Sequence, residues 1–478
     1  MQSEHPWRLA GNHLISNRCC ASPGARRQRR RFTEPFLNPL RGTLPVQYDL
    51  QPIPLNIFQR LTRQWDQLHP YNAAQSMHLD GNADIGRIEE AWRSALTELG
   101  LGPVRCNGGN YFYSTAKDLH QSVHVPSPAL SVDAYLTAEM NRPFTADEGT
   151  PFRPFVLTES GSHFLGVVYH HWIADSVSIR SLLREWFLRL YQPERAQRIP
   201  FKQPTAGYWR LFGPDAANWD LGTNVLDVFR WSSRLKLARR VENRSFPDLK
   251  TQFTLHRLPD GLVDRLLPVA RAAGATLNDL FLAAMARACD RYVVAPPARR
   301  RTDLALGVIV DLRASAPDML ADTFGLFLGF TSVLCGIEHL RDWDRLLAHL
   351  TQQNRQNKRN TSAQTSMLRI LGGSIAGRLL SRRGVLEFYR KRIPLAAGIS
   401  NVNLNRTWVA DYHPSPILDY IRVSPTGPML PVVFTPSTLG NRLHFGLTHR
   451  VSVLPEDIAA QCADTFAHML ISSASNFP

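Results

Sequence analysis

Apolar and polar positions along this chain follow two different periods, and the switch between them is sharpest from Ser162 to Tyr191. Phe164, Leu165, Val167 and Val168 form a short apolar run rich in β-formers, as expected of a strand covered on both faces. The run ends at His170. Beyond Asp175 the apolar positions are Ile179, Leu182, Leu183, Trp186, Phe187 and Leu190, with Arg180, Arg184, Glu185 and Arg189 between them, which is the spacing of an amphipathic helix. Asp175 or Ser176 is a natural N-cap, since either side chain can accept from the unpaired amides of the first turn. The segment therefore predicts a strand, a tight polar turn and a helix.

Similar alternation runs through the rest of the chain. Order is expected from about Leu44. "SMHLDGNADIGRIEEAWRSALTEL" predicts a strand, a turn at Asp80 and Gly81, and a helix burying Ile88, Trp92 and Leu99. "YFYST" and "PFRPFVLTES" predict strands on either side of the helical "ALSVDAYLTAEMNRPF", and the Pro-bearing "QPERAQRIPFKQPTAG" reads as a connector. In the second half, "DGLVDRLLPVARAAG" is a helix closed by Gly274, and "TLNDLFLAAMARACDRYV" is a helix whose Thr276 and Asp279 form a capping box. "LALGVIVDLR" is a buried strand ending in Asp311 and Arg313, "FGLFLGFTSVL" a further strand and "LRDWDRLLAHL" a helix. "PVVFTPSTLGNRLHFGLTH" predicts a hairpin around Leu439, Gly440 and Asn441. Together these make two α/β halves of similar size, each a sheet flanked by helices.

Composition narrows the class. With 478 residues and 44% hydrophobic content the chain can build two or three domains, and its longest apolar stretch, Phe324 to Cys335, is too short to span a bilayer. The N-terminus carries Glu4, His5 and Arg8 with no apolar h-region, so a secretory signal is not expected. Six scattered cysteines read as reduced, which favours the cytoplasm.

The net charge of +15 sits in two blocks. Residues 1–43 carry eight arginines against Glu4 and Glu34, and residues 355–392 carry ten Lys and Arg against Glu387, so the remainder is neutral. No basic face interleaved with aromatics appears, so nucleic-acid binding is not expected. The first block lacks any apolar period and is expected to be a disordered tail or upstream sequence. Leu368, Ile370, Leu371, Leu379 and Leu380 make the second a folded segment.

The strand-to-helix turn carries the candidate chemistry: His170, His171 and Asp175. Imidazole is the commonest general base, and strand ends that feed helices hold polar groups beside open crevices. A pair of histidines also has a plain structural reading, one exposed and one hydrogen-bonded in the core. Metal binding is disfavoured, because adjacent strand residues point oppositely and neither HExxH nor CxxC is present.

"HHWIADS" resembles the HHxxxDG signature of the CoA-dependent acyltransferase superfamily, which includes chloramphenicol acetyltransferase, condensation domains of nonribosomal peptide synthetases and wax ester synthases. "NRPFTADEGTPFRPFVL", "LDGNADIGRIEEAW", "TLNDLFLAAMARAC", "VDLR", "GISNVNL" and "VSVLPEDIAAQCADTFAHML" are similar to further family segments in the same order, over roughly residues 44 to 475. The plant branch's DFGWG is missing, which brings the bacterial branches nearer.

The resemblance implies an α/β fold of two chloramphenicol-acetyltransferase-like lobes, residues 44–215 and 216–478, each a mixed sheet flanked by helices, with a tunnel between them. It implies an acyltransferase that moves an acyl group from acyl-CoA or an acyl-carrier protein to a hydroxyl or amine, with no cofactor bound permanently. His171 would be the general base, with His170 supporting it. Asp175 would pair structurally with Arg313, and Trp172, Ser176, Ser400 and Asn401 would meet substrate. Ser176 stands where the motif has glycine, which brings a hydroxyl into the acceptor channel. A catalytically silent domain that binds a carrier protein or small ligand is the alternative. The basic segment suits the phosphates of CoA or the acidic surface of a carrier protein, and with no fused carrier domain or docking tail marked in the sequence CoA is the expected donor, with Arg382, Arg383 and Arg390 as the residues to reverse.

Overall fold

In a computed structural model of the chain, residues 51–475 are described, apart from 115–121, 128–129, 146, 218–219, 244–247 and 407–416. The basic tail expected at 1–43 lies outside the described residues. The strand read from Phe164 to Val168 sits at the centre of an antiparallel sheet. β1 (Asn72–Asp80) and β2 (Phe152–Glu159) flank β3 (Ser162–His170), pairing Val167 with Gln75 and with Pro154. Both faces of β3 are covered, which is why its sequence does not alternate.

The second half contributes β4 (Thr251–Arg257), β5 (Leu304–Asp311), β6 (Leu328–Cys335), β7 (Ala397–Ile399), β8 (Ile417–Val423), β9 (Val432–Leu439) and β10 (Arg442–Arg450). Its sheet runs β6-β5-β7-β9-β10-β4, with β7 parallel to both β5 and β9 and the remaining pairs antiparallel. The expected hairpin joins β9 and β10 through Gly440, whose φ of +62° a tight turn favours in glycine. β8 does not join this sheet. It crosses to the first one and pairs antiparallel with β1, Arg422 opposite Gln75.

Helices α1 (Ile57–Asp66), α2 (Ile85–Glu98), α3 (Val132–Asn141) and α4 (Ser176–Tyr191) belong to the first half. α4 buries Ile179, Leu182, Leu183, Trp186 and Phe187 against β1, β3 and α2, where the rings of Trp92 and Trp186 meet at a tilt of 53° with centroids 4.6 Å apart. Each such side chain is worth about 1.5–3 kcal/mol when buried. In the second half stand α5 (Leu221–Leu235), α6 (Leu262–Ala272), α7 (Leu277–Tyr292), α8 (Trp343–Arg359), α9 (Ser366–Leu379), α10 (Arg382–Arg392) and α11 (Glu456–Ser475). Gly274 closes α6 at φ +59°, and Thr276 and Asp279 form the capping box of α7. No described helix is long and apolar enough to cross a membrane.

α1, α5 and the pairing of β8 lie outside what the local sequence pattern foretells. α1 is amphipathic, but its apolar face is spelled by Phe58, Leu61 and Trp65 among glutamines and arginines, a weak signal. The strand β8 pairs with a partner more than 330 residues earlier, which no local pattern announces.

Candidate active site

The turn after β3 is fixed from both ends. The His171 amide donates to the Tyr71 carbonyl at 3.2 Å and the Asp175 amide to Gly325 at 3.0 Å. Asp175 is the N-cap of α4: its Oδ1 accepts from the amides of Val177 and Ser178 at 3.0 and 3.1 Å. Its Oδ2 accepts from Arg313 Nη1 at 2.7 Å and from the Phe327 amide at 2.8 Å. None of these four partners is His171. Arg313 also reaches Asp311, Ser178 and the Gly325 carbonyl. Gly325 has φ +156°, and a Cβ there would sit 3.1 Å from the Phe327 ring, so this approach needs glycine. Asp175, buried completely, thus ties the histidine turn to the second half of the chain.

The two histidines face different surroundings. Trp172 Nε1 donates to His170 Nδ1 at 3.0 Å, His170 Nε2 lies 3.1 Å from Asp66 Oδ1, and the ring stacks on Phe144. His171 Nδ1 lies 3.0 Å from the Ala174 carbonyl, which can only accept. Nδ1 therefore carries the proton and Nε2 is left with its lone pair. Tyr71 stacks on the imidazole and Tyr169 meets it edge-on. Burial pushes the His171 pKa down, against the carbonyl bond from Ala174 and the charge of Asp175, so the ring is neutral at pH 7.

His171 lines a cavity where the two sheets meet. Phe58 of α1, Gln75 of β1, Ile309 of β5, Ser400 after β7 and Arg422 of β8 share the lining. Ser176 and Ser400 are both brought to the cavity, and both contact Arg422. Trp172 and Asn401 are not part of its lining. Trp172 is buried between Tyr111 and Arg63, and Asn401 lines a separate cavity with Asp279 and Lys358. Gln75, Tyr71 and Arg422 escaped the sequence reading. The detectable signal was an arginine within "ILDYIRV", an apolar run rich in β-formers.

A family model for the condensation domain matches residues 114–369, more than half of the chain. The chain belongs to the condensation-domain family. Such domains are members of the CoA-dependent acyltransferase superfamily, to which the HHWIADS segment pointed. The condensation domain of Monacolin K polyketide synthase MokA superposes with a TM-score of 0.62 at 15% identity, covering 90% of this chain and 98% of that one. Polyketide synthase associated protein 5 from Mycobacterium tuberculosis gives 0.61 at 15% identity, over 90% and 100%. An epimerization domain from a tyrocidine synthetase has the same fold, with a TM-score of 0.57 at 16% identity over 89% and 97%.

Among curated sequences, a plipastatin synthase of Bacillus subtilis (strain 168) is 23% identical over 220 residues, 42% of this chain and 8% of that protein. Chondramide synthase cmdD of Chondromyces crocatus is 27% identical over 241 residues, 47% and 6%. This condensation-domain chain thus matches less than a tenth of either synthetase.

Proposed function

We propose that this chain transfers an acyl group from a phosphopantetheine thioester to an amine or hydroxyl, with His171 as general base. Condensation domains of synthetases catalyse amide bond formation by acyl transfer. The observation that carries the reading is the His171 ring: Nδ1–H is held by the Ala174 carbonyl, and the neutral imidazole borders a cavity between the two sheets. A thioester is already activated, so the acceptor's proton is the obstacle. Nε2 takes that proton as the nitrogen or oxygen attacks the carbonyl carbon, the C–S bond then breaks, and the proton passes to the departing thiolate. No acyl-enzyme is needed. Ser400 is the candidate donor to the tetrahedral oxyanion, because its Oγ accepts from Arg422 and keeps a proton to give.

The depressed His171 pKa sets the pH response. A base is active when unprotonated, and burial extends the neutral form downward in pH. The acid limb of kcat/KM should therefore fall below the ordinary imidazole value of about 6.5. A limb above that value would point to another base.

Membership in the condensation-domain family favours a carrier-protein thioester over free CoA, the reverse of the donor expected from the sequence. The basic segment supports a protein surface as partner. α9 packs on α1, which supplies Phe58 to the cavity and Asp66 to His170. Two of the three arginines singled out from sequence are engaged internally, Arg382 on the Leu68 carbonyl and Arg390 on Glu387. Arg378, Arg383 and Arg392 are exposed. With one acyl group offered on both donors at matched concentration, the carrier-bound form should turn over faster. Arg378→Glu, Arg383→Glu and Arg392→Glu together should lower its kcat/KM and flatten its salt dependence. Equal or faster turnover of acyl-CoA, untouched by the three changes, would return the donor to free CoA.

A further inference from the structure

Arg422 enters the cavity from β8, the strand that crosses between the sheets, and it is only 3% exposed. Its Nε–H donates to Ser176 Oγ at 3.1 Å, Nη1 to the Ser400 carbonyl at 3.0 Å and Nη2 to Ser400 Oγ at 2.9 Å. All three acceptors are neutral. Other buried guanidinium groups are compensated differently: Arg313 pairs with Asp175, Arg189 with Glu98 and Glu185, and Arg239 with Asp290. Arg369 and Arg450 likewise donate to neutral groups, Arg369 to the carbonyls of Phe330 and Ser362 and Arg450 to those of Leu249 and Thr426, but neither lines the cavity beside His171. Arg422 has no carboxylate partner among the described residues, and it borders open space beside the candidate base.

A second cation sharpens the imbalance. Arg180 lies one helical turn beyond Ser176 on α4, and its Nη1 is buried without a hydrogen-bond partner. Desolvation first, and then the charge of Arg180, lower the Arg422 pKa to about 10, which still leaves the group charged at pH 7. A buried guanidinium beside a second, partly buried one, with no carboxylate on either among the described residues, is costly until an anion joins them. A guanidinium has five N–H groups, of which three are engaged here, so each terminal nitrogen keeps one. Because both terminal nitrogens turn to the one residue Ser400, their free N–H groups point to opposite flanks, and either can donate to one oxygen of a carboxylate.

We infer that Arg422, aimed by Ser176 and Ser400, recognises a carboxylate carried by one of the two substrates that meet at His171. This rests on reading the cavity as the site of acyl transfer. The phosphate of a phosphopantetheine arm is excluded, since it lies the length of that arm from the reacting thioester, whereas Arg422 and His171 line the same cavity. The carboxylate belongs to an amino or hydroxy acid acceptor or to the far end of a dicarboxylic acyl group. In the first case the acceptor is a free acid, because a carrier-bound thioester has no carboxylate at that carbon. The inference also gives Ser176 a purpose. The glycine of the family motif has no hydroxyl with which to hold the guanidinium.

Binding can be tested apart from catalysis by calorimetric titration of the full chain carrying His171→Ala. Phenylacetate and the neutral phenylacetamide serve as probes. Phenylacetate should bind about 10- to 100-fold more tightly, the worth of a charge-assisted bond. Arg422→Met should remove the preference. Ser176→Gly keeps the guanidinium and should weaken the preference severalfold in a chain that folds normally. Equal affinity for acid and amide, no saturable binding of either, or a preference that survives Arg422→Met overturns the assignment. In the active chain, inhibition by phenylacetate competitive with the acceptor places the carboxylate on the acceptor, and competition with the donor places it on the acyl group. Acid-selective binding in a chain that transfers no acyl group would sink the acyltransferase reading and leave the carboxylate site standing. Acyl transfer without acid selectivity would do the reverse.

Discussion

His171→Ala should lower acyl transfer by about 10²–10⁴-fold, the usual worth of a positioned general base, while the melting temperature stays close to that of the parent chain. The side chain borders an existing cavity, so its removal enlarges open space more than it breaks packing, and the one hydrogen bond lost is that to the Ala174 carbonyl. The neighbouring residue supplies the control. His170 is 3% exposed, accepts from Trp172 and stacks on Phe144, so His170→Ala should destabilise the fold by about 1–3 kcal/mol. Its folded fraction should retain most of the rate. Stopped assays beside thermal melts of both variants separate the two histidines, and near-normal turnover in a folded His171→Ala chain would end the proposed mechanism.

Arg313→Met should be among the most destabilising single changes in the molecule, at about 3–5 kcal/mol. It strands the Asp175 carboxylate, which is completely buried, with backbone amides as its only remaining partners. Asp175→Asn should cost less than Arg313→Met, because the arginine it releases is 13% exposed at its side chain and keeps Asp311 at 3.1 Å. Burial pulls the Arg313 pKa down, but Asp175 and Asp311 outweigh it and hold the group above its ordinary value, so the guanidinium is charged at neutral pH. In the double variant neither charge is left alone, and the combined loss should fall short of the sum by about 0.5–3 kcal/mol. Denaturant titrations of the four chains give this difference directly, and strictly additive losses would show the two residues to be independent.

Activity losses in these variants need the same care. Asp175 caps α4 and holds the Gly325–Phe327 segment, so a crude assay on Asp175→Asn would mimic the loss of a catalytic group. Rates measured on the folded fraction should remain within about tenfold of the parent, since no oxygen of Asp175 touches His171.

Local structure around the site is legible in the residues themselves. The unbroken apolar run before His170, the helical spacing after Asp175 and the polar turn between them are properties of neighbouring residues, and periodicity reads them directly. The same holds for the capping box at Thr276, the left-handed Gly274 and the β9–β10 hairpin. How these pieces meet is settled only in three dimensions. β8 leaves its own half to pair with β1, and it carries Arg422 to two serines 246 and 22 residues away in sequence. Whether Ser176 narrows the cavity or holds a guanidinium, and whether Trp172 meets substrate or core, depends on such contacts between distant segments. The energy of a buried charge is set by what surrounds it in space. Periodicity records only which face of its own strand or helix a residue occupies.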